Sequence, residues 1–157
     1  MKEFKIVAKI VISSYTELSA KEKKLIDLAK DVSKDAYAPY SQFKVGSAVL
    51  LENGEIITGN NQENIAYPSG MCAERVALYS ANAIFPDIKI EAIAIAAYFD
   101  GDYTERISPC GSCRQVLQEV ENRYKFPIRV LLYGKNEVYI VESAKDLMPL
   151  GFSFNAT

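Results

Sequence analysis

The stretch Ile90-Glu91-Ala92-Ile93-Ala94-Ile95-Ala96-Ala97-Tyr98 is apolar along almost its whole length and predicts a strand. A second apolar run follows at residues 128–133, and a helical pattern at about 110–122 lies between the two. A strand, a helix and a strand in this order favour a parallel pair joined by a right-handed crossover. The sequence therefore predicts an α/β fold around these two strands.

Three more strands extend this unit along the chain. Asn53-Gly54 is a hairpin turn signal, so the β-like runs at 43–51 and 55–59 are expected to pair antiparallel. A further short strand is predicted at 138–141. The result is a mixed sheet of five strands with hairpin strands at one side, an arrangement usually covered by helices on both faces. We therefore expect a three-layer α/β/α fold.

Two helices precede the central strand. Ser19 and Glu22 have the spacing of a capping box and predict a helix over about 19–36, while a second helix is predicted over about 71–84. The second helix contains three alanines, spaced by four, that favour close helix packing: Ala73, Ala77 and Ala81.

Composition sets the outer limits of the fold and of the partners. With 157 residues, 49% of them hydrophobic and 24% charged, the chain is expected to form one domain over 1–157. A net charge of −2 provides no basic surface for nucleic acid and favours a small, weakly charged substrate. Three cysteines are an odd number for a disulfide framework and favour a reducing, cytoplasmic setting.

The N-terminal segment is considered separately because it is apolar. Residues 5–12 are interrupted by Lys9, carry no convincing export signal and are too short to span a bilayer. We expect residues 1–15 to be an extension of unassigned role, an extra strand or an arm packed on the domain or on a partner subunit.

The chain has no histidine, so the chemistry must depend on other residues. Two short clusters carry it, Cys72-Ala73-Glu74 and Pro109-Cys110-Gly111-Ser112-Cys113, and each lies where a helix is expected to begin. Three thiolates and a water make a tetrahedral zinc site with an open position. Helix N-termini lower the pKa of thiols, which prepares the sulfurs as ligands.

Glu74 and Arg75 place a carboxyl group and a positive charge beside the three sulfurs. Glu74 follows Cys72 by two residues and can act as a general base beside the metal without being a ligand. Three thiolates around Zn²⁺ leave a net negative charge, so we expect Arg75 to donate hydrogen bonds to a cysteine ligand.

Other interpretations of the same residues remain open at this point. A C-x-x-C pair with a distant cysteine also occurs in structural zinc modules and, as a dithiol pair, in thioredoxin-like proteins. The aromatic and polar residues outside the clusters could be ordinary core or loop residues, and Arg75 could be a surface ion-pair partner.

The two cysteine clusters resemble the signature of the zinc deaminases, in the variant that has three cysteines. The chain is most similar to the small homotetrameric type in the cytidine and deoxycytidylate deaminase family. Over residues 19–152 further motifs fall in that family's order: Phe43-Lys44-Val45-Gly46, Gly59-Asn60-Asn61-Gln62-Glu63-Asn64, Tyr67-Pro68 and Leu147-Met148-Pro149. The resemblance implies a cytidine deaminase-like fold.

The resemblance also implies an activity: zinc-dependent hydrolytic deamination of cytidine and deoxycytidine to uridine and deoxyuridine, with release of ammonia, in pyrimidine salvage. One Zn²⁺ per subunit would be held by Cys72, Cys110 and Cys113, and Glu74 would move the proton. A related deaminase that acts on another aminopyrimidine nucleoside is the alternative within this class.

The substrate and assembly residues are carried over by position from the same resemblance. Phe43 is expected to pack on the pyrimidine, and Asn61 and Glu63 are expected to bind the ribose hydroxyls. In a homotetramer, neighbouring subunits complete each pocket, which makes Ile65, Tyr67 and Phe152 candidates for contacts between subunits.

Overall fold

The computed structural model describes residues 1–153, so residues 154–157 of the predicted domain lie outside the described part. The described part contains seven strands: β1 (Ile10–Ser13), β2 (Lys44–Leu51), β3 (Ile56–Asn60), β4 (Ile90–Phe99), β5 (Asp102–Tyr103), β6 (Arg129–Tyr133) and β7 (Val138–Val141). Three α-helices accompany them: α1 (Ala20–Ser33), α2 (Ala73–Ile84) and α3 (Gly111–Tyr124). Short 3₁₀ helices occupy Tyr15–Glu17, Tyr67–Ser69 and Ala144–Leu147.

All strands belong to one mixed sheet. Its order is β1-β7-β6-β4-β2-β3, and β5 pairs with β4. The predicted parallel pair is β4 and β6, while β2 and β3 form the predicted antiparallel hairpin at one edge. The α/β class and the mixed sheet are therefore confirmed.

The two faces of the sheet carry separate hydrophobic cores. On one face the alanines of β4 pack with large residues of α1, such as Leu25 and Ile26. On the other face Ile93 and Ile95 of β4 pack with α2 and α3. Because side chains alternate along a strand, the apolar run at 90–98 supplies both cores, and the predicted three layers follow.

The sheet has seven strands rather than the five expected. β1 pairs antiparallel with β7, so the N-terminal extension contributes an edge strand, one of the two alternatives for it. β5 is only two residues long and returns from β4 through Asp100-Gly101, both at positive φ (51° and 84°). Asp-Gly is a hairpin signal, but a two-residue strand has no recognisable alternation.

Two helices are shorter than predicted because competing backbone hydrogen bonds end them. After Ser33, the amides of residues 34–36 bond to carbonyls three residues back and the Tyr37 amide bonds to the Asn61 carbonyl, which closes the helix. At the start of α2, Met71 exchanges two backbone hydrogen bonds with Gln62 and is therefore extended.

Two glycines allow the helices to lie directly on the sheet. A Cβ at Gly46 of β2 would be 2.0 Å from the Ala29 carbonyl oxygen of α1. A Cβ at Gly59 of β3 would be 2.6 Å from the Ala77 amide and 2.9 Å from the Ala73 carbonyl oxygen of α2. Ala73, Ala77 and Ala81 are fully buried, so the predicted close packing of that helix is confirmed.

No helix within residues 1–153 combines the length and the apolar character needed to cross a membrane.

Candidate active site

The starts of α2 and α3 bring the three cysteines together. Cys72 is the N-cap of α2, Cys110 is the N-cap of α3, and Cys113 lies in the first turn of α3. Pro109 precedes the N-cap and lies outside the helix. Amide groups at both helix starts therefore surround one small volume, where the positive ends of two helix dipoles favour thiolates.

The sulfur positions fit a zinc ion. The Sγ atoms of Cys72 and Cys110 are 3.9 Å apart, those of Cys110 and Cys113 are 3.5 Å apart, and all three lie within 4.8 Å of one another. Sulfurs at the corners of a tetrahedron with Zn–S bonds of about 2.3 Å are separated by about 3.8 Å. The donor set and its spacing therefore match one zinc ion with a fourth position left for water.

Arg75 lies beside this cluster. Its Nη2 atom donates a hydrogen bond to the Sγ atom of Cys72 over 3.5 Å, which is the contact that the sequence predicts. A hydrogen bond with Cys113 is the largest cause that lowers the pKa of Cys72 to about 5, and Arg75 adds to it against the effect of burial. Arg114 instead donates to the backbone carbonyls of Pro109 and Leu147.

Glu74 is buried next to the sulfurs. Its exposed fraction is 4%, and this burial is the main cause that raises the pKa of its carboxyl group above the ordinary value. A carboxyl group with a raised pKa exchanges protons closer to neutral pH. Its position at the second residue of α2 places it beside the sulfur cluster.

A pocket of about 360 Å³, the Glu74 pocket, opens beside the cluster. It is lined by Phe43, Val45, Asn61, Cys72, Ala73, Glu74, Ile107, Ser108 and Cys110. The Phe43 ring is 5.9 Å from the Phe99 ring, so β4 supports it from behind. An aromatic face, a buried carboxyl group and two sulfurs therefore line one small space.

Asn61 is shared with a larger pocket of about 580 Å³, the Glu63 pocket, which also contains Tyr40, Ser41, Tyr67, Met71, Cys72 and Arg75. The side-chain amide of Asn61 accepts a hydrogen bond from the Val45 N–H over 2.7 Å and donates one to the Phe43 carbonyl over 3.0 Å. One N–H and one lone pair of the amide remain for a ligand. Asn61 therefore also holds the strand segment that carries Phe43.

The side chain of Glu63 is held by hydrogen bonds from residues distant in sequence. Its carboxylate accepts hydrogen bonds from the backbone amides of Tyr40 (2.9 Å) and Ser41 (3.3 Å) and from the Ser41 hydroxyl group. The Ser41 hydroxyl group is the main cause that lowers the pKa of Glu63. The carboxylate is therefore ionised and fixed at the rim of the Glu63 pocket. Tyr40 and Ser41 were not predicted, because no local pattern links them to a residue 23 and 22 positions away.

The three residues expected at contacts between subunits all have exposed side chains. The exposed fractions are 81% for Ile65, 75% for Tyr67 and 78% for Phe152. The Tyr67 ring lies 6.0 Å from the Tyr40 ring, at the rim of the Glu63 pocket. Their roles stay predictions.

The family model for the cytidine and deoxycytidylate deaminase zinc-binding region matches residues 19–127, which include both cysteine clusters. The chain belongs to the cytidine and deoxycytidylate deaminase family. Membership accounts for the zinc-sized sulfur cluster with a carboxyl group beside it. The resemblance predicted from the sequence motifs is thereby confirmed.

Curated relatives and solved structures agree with this family. The chain is 42% identical over 97 residues to a cytidine deaminase from Halalkalibacterium halodurans, a match that covers 61% of this chain and 69% of that protein. A crystal structure of cytidine deaminase from Burkholderia pseudomallei is 39% identical, with a TM-score of 0.71 over 83% of this chain and 98% of that one. A cytidine deaminase structure from Mycobacterium tuberculosis is 28% identical, with a TM-score of 0.68 over 87% of this chain and 100% of that one.

Proposed function

We propose that the protein is a cytidine deaminase, a hydrolase that converts cytidine and deoxycytidine to uridine and deoxyuridine and releases ammonia. The observation that carries this proposal is the buried carboxyl group of Glu74 in a pocket whose wall includes a zinc-sized sulfur cluster. The names of the relatives and the zinc-binding family region support the same reaction.

The cysteines are assigned to the metal. Cys72, Cys110 and Cys113 would hold one zinc ion per subunit, and a bound zinc ion supplies hydroxide at neutral pH by lowering the pKa of water. Arg75 offsets part of the sulfur charge through its hydrogen bond to Cys72. These residues would therefore hold the ion without a histidine ligand.

Glu74 is assigned to proton transfer. The reaction adds a water oxygen to C4 of the pyrimidine and breaks the bond from C4 to the amino nitrogen. Glu74 accepts a proton from the water and donates it to N3. It then accepts the proton of the new hydroxyl group at C4 and transfers it to the leaving nitrogen, so that ammonia departs and a carbonyl group remains at C4. A raised pKa suits a group that must both accept and donate.

The two pockets are assigned to the two halves of the nucleoside. The pyrimidine would occupy the Glu74 pocket against Phe43, and the sugar would lie toward the Glu63 pocket, since Asn61 lines both. The remaining N–H and lone pair of Asn61 and the ionised carboxylate of Glu63 can bind ribose hydroxyl groups. The same carboxylate repels a phosphate, which favours nucleosides over nucleotides.

We also propose that residues 1–157 form one domain and assemble into a homotetramer in which Ile65, Tyr67 and Phe152 contact neighbouring subunits. The exposure of these three side chains supports contacts outside their own subunit. Free thiols are required for the metal site, which suits the cytoplasm, and the products suit pyrimidine salvage.

The test is replacement of Glu74 by alanine. We expect Glu74→Ala to keep one equivalent of zinc and to reduce turnover of cytidine on the order of 10²- to 10⁴-fold, because only proton transfer is removed. Ammonia release and zinc content are measured together on cytidine, deoxycytidine, cytosine and CMP. Glu55→Ala, at the exposed turn between β2 and β3, serves as the control and should be fully active.

Full activity of Glu74→Ala would overturn the mechanism. Zinc binding by a wild-type protein that released no ammonia from cytidine or deoxycytidine would overturn the proposed reaction.

A further inference from the structure

One side of α3 carries polar side chains that bind the segment after β7. Gln118 lies three and four positions after Gln115 and Arg114 and three positions before Glu121, so these four residues share this side. The buried Glu121 carboxylate accepts hydrogen bonds from the Ala144 amide (2.7 Å), the Lys145 amide (3.3 Å) and the Ser143 hydroxyl group (2.9 Å). Together with the bond from Arg114 to the Leu147 carbonyl, this anchors the 3₁₀ helix at 144–147 to α3.

Gln115 binds the next part of this segment at two points. Its Nε2 atom donates to the Phe152 carbonyl over 2.7 Å, and its Oε1 atom accepts from the Phe152 amide over 3.1 Å. A side-chain amide has one donor end and one acceptor end, so it pairs with a single backbone residue much as a neighbouring strand would. Both polar backbone groups of Phe152 are therefore held by one side chain.

Gln118 reinforces this attachment. Its buried side chain donates to the same Phe152 carbonyl over 3.3 Å. A Cβ at residue 151 would be 2.0 Å from the Oε1 atom of Gln118, so glycine at that position allows the amide to lie against the chain. The backbone at 151–152 thus follows the surface of α3 closely.

The side chain of Phe152 contrasts with its backbone. The ring is 78% exposed although the backbone makes hydrogen bonds on both sides. Within residues 1–153, Phe152 lines neither the Glu74 pocket nor the Glu63 pocket. A fixed backbone with an outward ring is suited to a contact with another subunit. Because the segment is already ordered, association loses little further conformational entropy.

We propose that Gln115, supported by Gln118, is a positioning residue that holds the Phe152 ring in the orientation in which it enters the pocket of a neighbouring copy of the chain. This inference rests on the proposed deaminase and its shared pockets. It assigns Gln115, two residues after the ligand Cys113, to the site of the neighbouring subunit rather than to its own. The helix that carries two sulfur ligands would thereby also supply the neighbour's pocket.

Single variants measure the effect on substrate binding. We expect Gln115→Ala to raise KM for cytidine about tenfold, the equivalent of two lost hydrogen bonds, with zinc content and kcat nearly unchanged. Gln115→Glu keeps the acceptor and loses the donor, so its KM should lie between that of the wild type and that of Gln115→Ala. Glu119→Ala, an exposed position on the same helix, is the control and should behave as the wild type.

Mixed oligomers decide which subunit Gln115 serves. Two variants are co-expressed with different affinity tags, purified over both tags and assayed at low cytidine concentration. Oligomers of Gln115→Ala with Glu74→Ala should regain activity, because the Glu74→Ala subunit supplies a held Phe152 to the intact centre of the other. Oligomers of Gln115→Ala with Phe152→Ala should not, because neither subunit supplies one.

The reverse pattern would overturn the inference alone: restored activity with Phe152→Ala and none with Glu74→Ala places Gln115 in the site of its own subunit. Oligomers of Phe152→Ala with Glu74→Ala are the reference and should be restored. Failure of that reference overturns the shared pocket and this inference with it, and a wild-type protein that is inactive on cytidine overturns the proposed function itself.

Discussion

The two faces of the sheet differ in whether the strand or the helix supplies the large side chains. On the α1 face the strand β4 contributes small residues, Ala92, Ala94 and Ala96, and the helix contributes large ones. On the α2 face the strand contributes Ile93 and Ile95, and the helix contributes the small residues Ala77 and Ala81 beside Leu78. Each interface pairs large with small, which fills the space between the layers.

The difference matters because only one of these helices carries the site. Gly46 lies under α1 and Gly59 lies under α2, and each allows helix backbone to approach strand backbone. The first contact lies beneath α1, whereas the second lies beneath the first turns of α2, the helix that begins after Cys72 and contains Glu74. We therefore expect the same close contact to serve stability on one face and the position of the sulfurs on the other.

The largest effect is expected on the α1 face. Gly46→Ala would place a Cβ 2.0 Å from a helix carbonyl oxygen, and backbone cannot rotate away. We expect a loss of about 3 kcal/mol in the free energy of unfolding, from overpacking. Urea unfolding measures it, and the zinc affinity of the remaining folded protein should be unchanged. A lowered zinc affinity would remove the distinction between the faces.

Gly59→Ala tests the opposite face. The overlap with α2 is smaller, and β3 is an edge strand that can shift, so we expect a loss of about 1–2 kcal/mol in the free energy of unfolding. Because the helix start moves, zinc affinity should fall about tenfold, as measured by competition with a chelator. Thr58→Ala, an exposed neighbour on β3, is the control. Unchanged zinc affinity would contradict the role assigned to this contact.

Arg75→Gln separates the hydrogen bond to Cys72 from the packing of α2, since it leaves that packing intact. Removing the hydrogen bond to Cys72 should lower zinc affinity about tenfold, without a matching loss of fold stability. Arg123→Gln on α3, whose guanidinium donates to the Pro86 carbonyl, should have no effect on the metal. Equal zinc affinities for the two variants would mean that Arg75 is only a surface residue.

The smallest effect concerns pH and the α1 face. Burial is the main cause that raises the pKa of Tyr15 to about 12, and its hydrogen bond to Asp27 adds to the shift. The folded state therefore favours the neutral phenol, a contribution that is complete below the unfolded pKa of about 10 and lost as pH rises through about 12. Tyr15→Phe should flatten the fall in urea stability between these values. Tyr79→Phe, at an exposed position, should retain the wild-type slope.

Local patterns account for most of the fold that was predicted. The β4 run, the hairpin at Asn53-Gly54 and the capping box at Ser19 each depend on neighbours within a few residues, and each is present in the structure. The strand β5 was missed because a two-residue strand has no recognisable alternation. The strand β1 was one of two alternatives for the N-terminal extension, because its pairing with the distant β7 leaves little trace in a single sequence.

The same division applies to the candidate site. The sulfur cluster was predictable, because Cys72 and Glu74 share one helix start and Cys110 and Cys113 share another. The backbone amides that hold Glu63 lie 22 and 23 positions away, and no local pattern indicates them.

The sequence by itself determined the alternation of large and small residues along β4, the two helix starts with their three sulfurs, and the carboxyl group between them. Tertiary structure decided how these parts meet: the depth of α2 on Gly59, the anchoring of Glu63, and the attachment of Phe152 to Gln115 across 37 positions. The physical reason is the separation along the chain over which each interaction acts. Periodicity and capping act between neighbours in the chain, whereas close backbone approach and side-chain binding of remote backbone arise only after the layers have packed.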